Sequence, residues 1–178
     1  ATEDLFALGA GKQVIAVDDN SNYPSEAPIS KLSSFNPNVE AIAKYKPDLV
    51  IIQNTATKSA AVVKQLQSLK IATYIEKTPS DLDGLFKELT DLGGLTGKQT
   101  KAKMVINTIK VARLTAIAGA KKSLPVTFYH ELDNTLFSAT SSTFIGKVYA
   151  DFNLKNIADA ASKSDDGGYP QLQNEYVI

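Results

Sequence analysis

Chemistry in this chain has few places to start. It holds one histidine, His130, and no cysteine. That excludes thiolate nucleophiles, disulfides, Cys-ligated zinc and any centre built from several imidazoles. His130 stands in Phe128-Tyr129-His130-Glu131-Leu132, where strand alternation places Phe128 and His130 on one face and Tyr129 on the other. A neutral imidazole there is able to coordinate haem iron. The preferred reading is a hydrogen-bonded histidine near a strand end. Asp165-Asp166-Gly167 lacks the remaining ligands of a calcium loop and reads as a solvated turn. Gly9-Ala10-Gly11 closes a helix, whereas a dinucleotide fingerprint opens one after a strand. No Ser–His–Asp arrangement stands out, so no catalytic residue, metal ligand or cofactor is assigned.

What the chain offers instead is loop aromatics and amides. Over residues 18–38 the composition turns to Asn, Ser and Pro, and Pro24, Pro28 and Pro37 block regular structure. Tyr23 and Phe35 are the large aromatics of this stretch, and loops of such length are functional or disordered. Tyr169 stands before Pro170-Gln171 beyond a second polar stretch. Rigid aromatic faces with few polar groups suit flat macrocycles and catecholates; the plain alternative is that such rings anchor their own loops. Gln53 and Asn54 follow an apolar strand, at the end where α/β sheets bind ligands. Glu40 and Glu175 each stand two residues after a polar residue, Asn38 or Gln173, and before an apolar pair. Charge compensation at a helix N-terminus explains either glutamate. Their recurrence in equivalent places is a weak internal echo.

The elements that must position these residues follow from periodicity and punctuation. Helix is expected over 2–8 with Thr2 as its cap, strand over 14–17, helix over 39–45 capped by Asn38, and strand over 49–52. An amphipathic helix over 58–69 buries Val62, Val63, Leu66 and Leu69, and a strand over 71–75 follows. This alternation with short connections argues for a doubly wound α/β lobe. A helix from Pro79-Ser80-Asp81 to about Leu92 stops at Gly93-Gly94. The longest helical pattern then runs over 98–119, with Ala102, Val105, Ile109, Ala112 and Ala116 as one stripe. A second α/β unit has strand over 126–132, helix over 143–152, an extended piece at 156–158, a polar loop at 162–168 and a helix start from 171.

Among the chain's 178 residues, 19 Lys and Arg balance 19 Asp and Glu, so no global field favours a phosphate backbone and nucleic acid is a poor partner. The longest apolar run, Leu49-Val50-Ile51-Ile52, is far too short to cross a bilayer. Both ends read as cuts, so the chain is expected to be a segment of something longer.

The run Ala7-Leu8-Gly9-Ala10-Gly11, residues 14–18, Tyr23-Pro24, and Asn38-Val39-Glu40-Ala41-Ile42 through Lys46-Pro47-Asp48-Leu49-Val50-Ile51 resembles the substrate-binding proteins of ABC importers for cobalamin, haem and iron–siderophore complexes. Phe144-Ile145-Gly146, Asn156-Ile157-Ala158 and Tyr169-Pro170-Gln171 to Glu175 agree with it, so the resemblance covers essentially the whole chain. It implies two α/β lobes with central parallel sheets, joined by a single long helix, with ligand held in the cleft between them. The expected division is residues 1–78 as a first lobe whose first strand lies ahead of Ala1, 79–122 as a helix pair with the connector over about 98–119, and 123–178 as part of a second lobe. Glu40 and Glu175 match the glutamates with which the family docks onto permease arginines. Tyr23 is expected to face the ligand; Phe35 and Tyr169 fit ligand contact and loop anchoring equally. Gln53, Asn54 and His130 complete the ligand-binding candidates. The implied protein is an extracytoplasmic, monomeric binding component, peripheral to the membrane and lipid-anchored or free. Its partners would be a permease with its ATPase subunits and a metal chelate, with a corrinoid favoured over haem or ferric siderophore. Zinc or manganese import is disfavoured for want of histidines. An α/β enzyme using the cleft, or a sensing module without transport, are the alternatives from other classes.

Overall fold

The computed structural model describes residues 1–54, 58–120 and 126–177. Helix α1 (Thr2–Ala7) carries Glu3 and Asp4 in its first turn, where their charge meets the positive end of the helix. Thr2 is not the cap its type suggests: it is the first helical residue, and Ala1 takes the cap position without a side-chain bond. The helix ends at Gly9, whose φ is +72°. Gly9 N–H reaches the Phe6 carbonyl at 2.9 Å and Ala10 N–H reaches that of Leu5 at 2.8 Å, the paired bonds of a Schellman ending. Leu8 and Ala10, on either side of the glycine, are thereby both buried.

Packing divides the chain into two compact units, Ala1–Thr78 with Phe86–Thr108, and Pro79–Leu85 with Ile109–Ile178. In the first, α2 (Val39–Lys44) is capped by Asn38, whose side chain accepts the Ala41 N–H at 2.9 Å. Strands β1 (Leu49–Gln53) and β2 (Ala72–Glu76) pair in parallel, from Leu49 opposite Ala72 to Gln53 opposite Glu76. Parallel neighbours need a crossover, and helix α3 (Lys58–Ser68) supplies it. The core of this unit gathers Leu8, Val62, Val63, Leu66, Leu89, Leu92 and Ala102. Leu69, expected inside, is 54% exposed because it lies beyond the last helical turn.

Residues 14–17 do not form the expected strand. The neighbouring stretch makes one isolated bridge, Asp18 to Leu32, and without a longer partner edge the segment stays irregular. Helix α4 (Leu82–Leu95) runs straight through Gly93-Gly94. Gly93 is there for packing, since a Cβ would lie 2.7 Å from that of Ala102. The stop comes at Gly97, with φ +69° and Lys98 N–H bonded to the Gly93 carbonyl. Helix α5 (Gln99–Gly119) is unbroken over 21 residues, about 32 Å at 1.5 Å per residue. Its expected stripe is buried only at Ala102; Val105 and Ile109 are half-buried, and Ala112 and Ala116 are exposed.

The second unit includes the start of α4 and the latter part of α5. Its strands are short, β3 (Thr127–Phe128) pairing in parallel with β4 (Lys155–Asn156). The strand expected over 126–132 shrinks because its partner is two residues long. Beyond β4 the chain turns into a 3-10 turn, Ile157–Ala160, so 156–158 is not extended throughout. Asn156 causes that change: its buried carboxamide oxygen accepts the Ala158 N–H while its nitrogen donates to the Ala139 carbonyl at 2.7 Å. Helix α6 (Phe144–Ala150) is capped by Thr143, and α7 (Asn174–Val177) follows. The fold is α/β with parallel sheets. The division expected between 122 and 123 lies outside the described residues.

Helix α3 ends as α1 does, with Lys70 N–H on Gln67 and Ile71 N–H on Leu66, but here the left-handed residue is a lysine with φ +60°. Lys70→Gly is therefore expected to raise stability by about 0.5 kcal/mol, since glycine adopts that conformation without Cβ strain. Urea unfolding of the two proteins measures it, and a lowered midpoint would contradict it.

Candidate functional site

In the first unit Tyr23 and Phe35 are 64% and 77% exposed, so neither ring anchors its loop against the core. Phe35 and Gln53 border one cleft of about 930 Å³, which Tyr23 and Asn54 do not line. All five residues of β1 line it, as do Val14 to Asp18. Gln53 donates its side-chain N–H to the Thr78 hydroxyl at 3.2 Å, and Asn54 N–H bonds to the Glu76 carbonyl. Both sit at the carboxyl end of β1, as the sequence suggested.

In the second unit His130 lies just past β3, half-buried, with Nδ1 3.1 Å from the Tyr149 hydroxyl. Phe128 packs on the same tyrosine, with ring centroids 4.5 Å apart against 5.6 Å for His130. The shared face expected from alternation is thus present, and Tyr149 is the partner that sequence reasoning missed. Tyr169 is 41% exposed on a turn organised by Asp166, which accepts from Lys163 N–H, Gly168 N–H and the Ser162 hydroxyl. Those bonds hold the Asp166 carboxyl below its ordinary value, the Lys163 N–H first among them.

Glu40 and Glu175 occupy the same position in two helices, the second residue of α2 and of α7. Both are exposed, and neither carboxylate is in an ion pair among the described residues. Helix starts set them there.

One cluster was not legible from the sequence, because it joins three elements. Carboxylate oxygens of Asp4, Glu76 and Glu88 lie within 4.8 Å of one another. The Ala1 ammonium sits among them, 2.9 Å from Glu76, 3.3 Å from Asp4 and 3.9 Å from Glu88. Burial and then the hydrogen bond to Glu76 push Glu88 up to about 8. Burial also pushes Glu76 upward, but the bond from Glu88 leads the contacts that outweigh it and hold Glu76 low.

The sign of the pH dependence follows. Between the ordinary value of 4.5 and about 8, folded Glu88 keeps a proton that the unfolded chain has released. Its contribution is full below 4.5 and fades as pH climbs to about 8, at up to ~1.4 kcal/mol per unit. Glu76 runs the other way, contributing above its ordinary 4.5 and losing that contribution in acid. Glu88→Gln should flatten the fall in thermal midpoint between pH 5 and 8, since an amide has no proton to release. Parallel curves for both proteins would refute the assignment.

Comparison with known proteins completes the picture. The family model described as "Periplasmic binding protein" matches residues 1–178. The chain belongs to the periplasmic binding protein family. This is a family of substrate-binding proteins of transporters. The chain is 26% identical over 184 residues to the uncharacterized ABC transporter substrate-binding lipoprotein YvrC of Bacillus subtilis, covering 99% of this chain and 57% of that protein. It is 28% identical over 186 residues to a cobalamin-binding protein of Halobacterium salinarum, covering 100% and 48%. The chain thus spans about half the length of these curated relatives. Among solved structures, a possible iron-binding (periplasmic solute-binding) protein of Staphylococcus epidermidis superposes with a TM-score of 0.78 at 23% identity, over 99% of this chain and 69% of that one. At that identity the likeness speaks for the fold alone. No helix among the described residues of this periplasmic binding protein is long and apolar enough to cross a membrane.

Proposed function

We propose that this chain is part of the extracytoplasmic binding component of an ABC importer for a metal chelate, with a corrinoid as the favoured ligand. The observation that carries the reading is the family match across residues 1–178; the cobalamin-binding relative supports the choice of ligand. Tyr23 and Phe35 in one unit, and Tyr169 in the other, are its proposed ring contacts, with Gln53 and Asn54 as polar ones. Their exposure supports this, because loop anchors would be buried. The cleft along β1 is a poor chelate pocket: among the described residues β1 pairs with β2 alone, and a strand with one unpaired edge calls for another strand to complete its hydrogen bonds. We read it as the seat of a further strand of the first lobe. The division into residues 1–78, 79–122 and 123–178 belongs to the same proposal, as do a permease with its ATPase subunits as partners, a monomeric state, and attachment outside the membrane with or without a lipid.

Native mass spectrometry of the full-length protein with cobalamin, haemin and ferric siderophores tests the reading. Retention of cobalamin is expected; retention of haemin or a siderophore instead would reassign the ligand, and retention of none would end the proposal. Haem ligation by His130 is the second reading, and the Tyr149 bond favours the plainer one. Haemin added to the unaltered protein and to His130→Ala is expected to give the same absorbance spectrum. A Soret band that moves between them would make His130 an iron ligand.

A further inference from the structure

The loop over residues 18–38 has the composition of a linker but not its structure. At its neck, Asp19 N–H bonds to the Leu32 carbonyl at 2.7 Å and the Asp19 carboxylate accepts the Ser34 N–H at 3.3 Å. The Asn20 carboxamide donates to the Ser34 hydroxyl at 2.8 Å across fourteen positions of sequence, and Ser30 donates to the Val17 carbonyl. The Asp18 carboxylate accepts the Asn20 N–H at 2.8 Å and fixes the turn that aims Asn20 across the neck. Beyond this collar the crown is more sparsely bonded, with Asn22 N–H on the Asn20 carbonyl at 3.1 Å and Ala27 N–H on the Pro24 carbonyl at 2.9 Å among its turn bonds. Yet the crown and its margin display the exposed rings of Tyr23 and Phe35.

We infer that the collar is a positioning element: Asn20 and Ser34, which tie the two sides of the neck, hold Tyr23 and Phe35 in place before a ligand arrives. The inference rests on the proposed function and adds to it how the ring contacts are kept ready. An untied loop of this length would have to be ordered at the moment of capture, and that entropy would be subtracted from affinity. With the neck tied by polar side chains, less of the loop's freedom remains to be lost at capture. The Asn, Asp and Ser content of the loop then has a mechanical reason.

The test uses the full-length protein with cyanocobalamin as probe. Asn20→Ala and Ser34→Ala each remove one end of a solvent-facing bond, so the thermal midpoint is expected to stay unchanged. Each should weaken binding roughly tenfold, and the double variant no further, because the two residues share one bond. In a Tyr23→Ala, Phe35→Ala background the same substitutions should change affinity little, since the collar acts through the rings. Hydrogen exchange without ligand gives a separate reading: the Asp19 and Ser34 amides should exchange faster in Asn20→Ala. Unchanged exchange, additive effects of the two substitutions, or a midpoint that falls in step with affinity would each overturn the collar. If the unaltered protein binds no chelate, the proposed function fails and the collar's effect on capture fails with it, whereas the exchange result separates that from failure of the collar itself.

Discussion

Gly146→Ala is expected to destabilise the second unit by about 3 kcal/mol or more. A Cβ at this position would lie 2.0 Å from the Thr140 carbonyl oxygen, 2.5 Å from the Ser141 Cα and 2.6 Å from the Thr140 carbonyl carbon. All three are backbone atoms, so no rotamer change relieves the clash. The chain there is also held from several sides. Thr140 N–H bonds to the Gly168 carbonyl, Thr143 donates its hydroxyl back to Thr140, and the same hydroxyl oxygen accepts the Gly146 N–H at 3.1 Å. Ser141 is tied through both its N–H and its hydroxyl to Asp159. Moving the Thr140–Ser141 segment aside would break these bonds in a core built of small and polar groups, Ser138, Ala139, Thr140, Asn156 and Ala158. Such a core has little apolar area in reserve. Gly94→Ala is the internal control: it lies inside α4 with nothing within 4 Å, so it should stabilise by about 0.5–1 kcal/mol. Chemical unfolding of both variants decides the matter. A Gly146→Ala protein as stable as the unaltered one would mean that α6 does not approach Thr140 so closely.

Glu40→Arg in the full-length protein should lower transport more than tenfold while leaving ligand affinity unchanged. The glutamate is exposed in the first turn of α2, and its neighbours do not consume its charge. Reversal to arginine would place like charges where the proposed permease arginines sit, and such juxtaposition costs several kcal/mol. It would also put a cation at the positive end of a helix, a local cost of about 0.3–1 kcal/mol that a melting curve registers separately. Glu40→Gln is the milder companion, losing the ion pair without adding repulsion. Transport by Glu40→Arg at the unaltered rate would remove the docking role, and a parallel loss of affinity would show a site defect instead. Glu175 occupies the matching position of α7 and should behave alike.

Legibility from the sequence followed the range of the interaction that decides each element. Asn38 as cap, the apolar strand read over 49–52 and most of the α3 face depend on residues within a few positions; the cap appears as read, the strand runs one residue further to Gln53, and of the face Val62, Val63 and Leu66 are buried while Leu69 is not. The glutamates were legible for the same reason. The irregular course of 14–17, read as a strand, was not, because β structure needs a partner edge that no local pattern announces. Gly93-Gly94 misled because glycine serves two ends: it stops a helix when left-handed, as Gly97 does, and admits close packing when helical, as Gly93 does. Of the candidate site, residue types and loop setting could be read; Tyr149 beneath His130 and the Asn20–Ser34 tie could not.

The chain by itself determined that it carries no thiol and a single imidazole, and it placed Asn38 as a helix cap with Glu40 in the first turn behind it. Only the tertiary structure decided that a lysine takes the left-handed place at the end of α3, that Asp4, Glu76 and Glu88 gather their carboxylates in one place, and that a linker-like loop is tied at its neck. Composition and near-neighbour spacing fix what a short stretch of backbone can do alone. Carboxylate clustering, close approach and bracing arise between groups far apart in sequence, and their energies exist only once packing has brought those groups within a few ångströms.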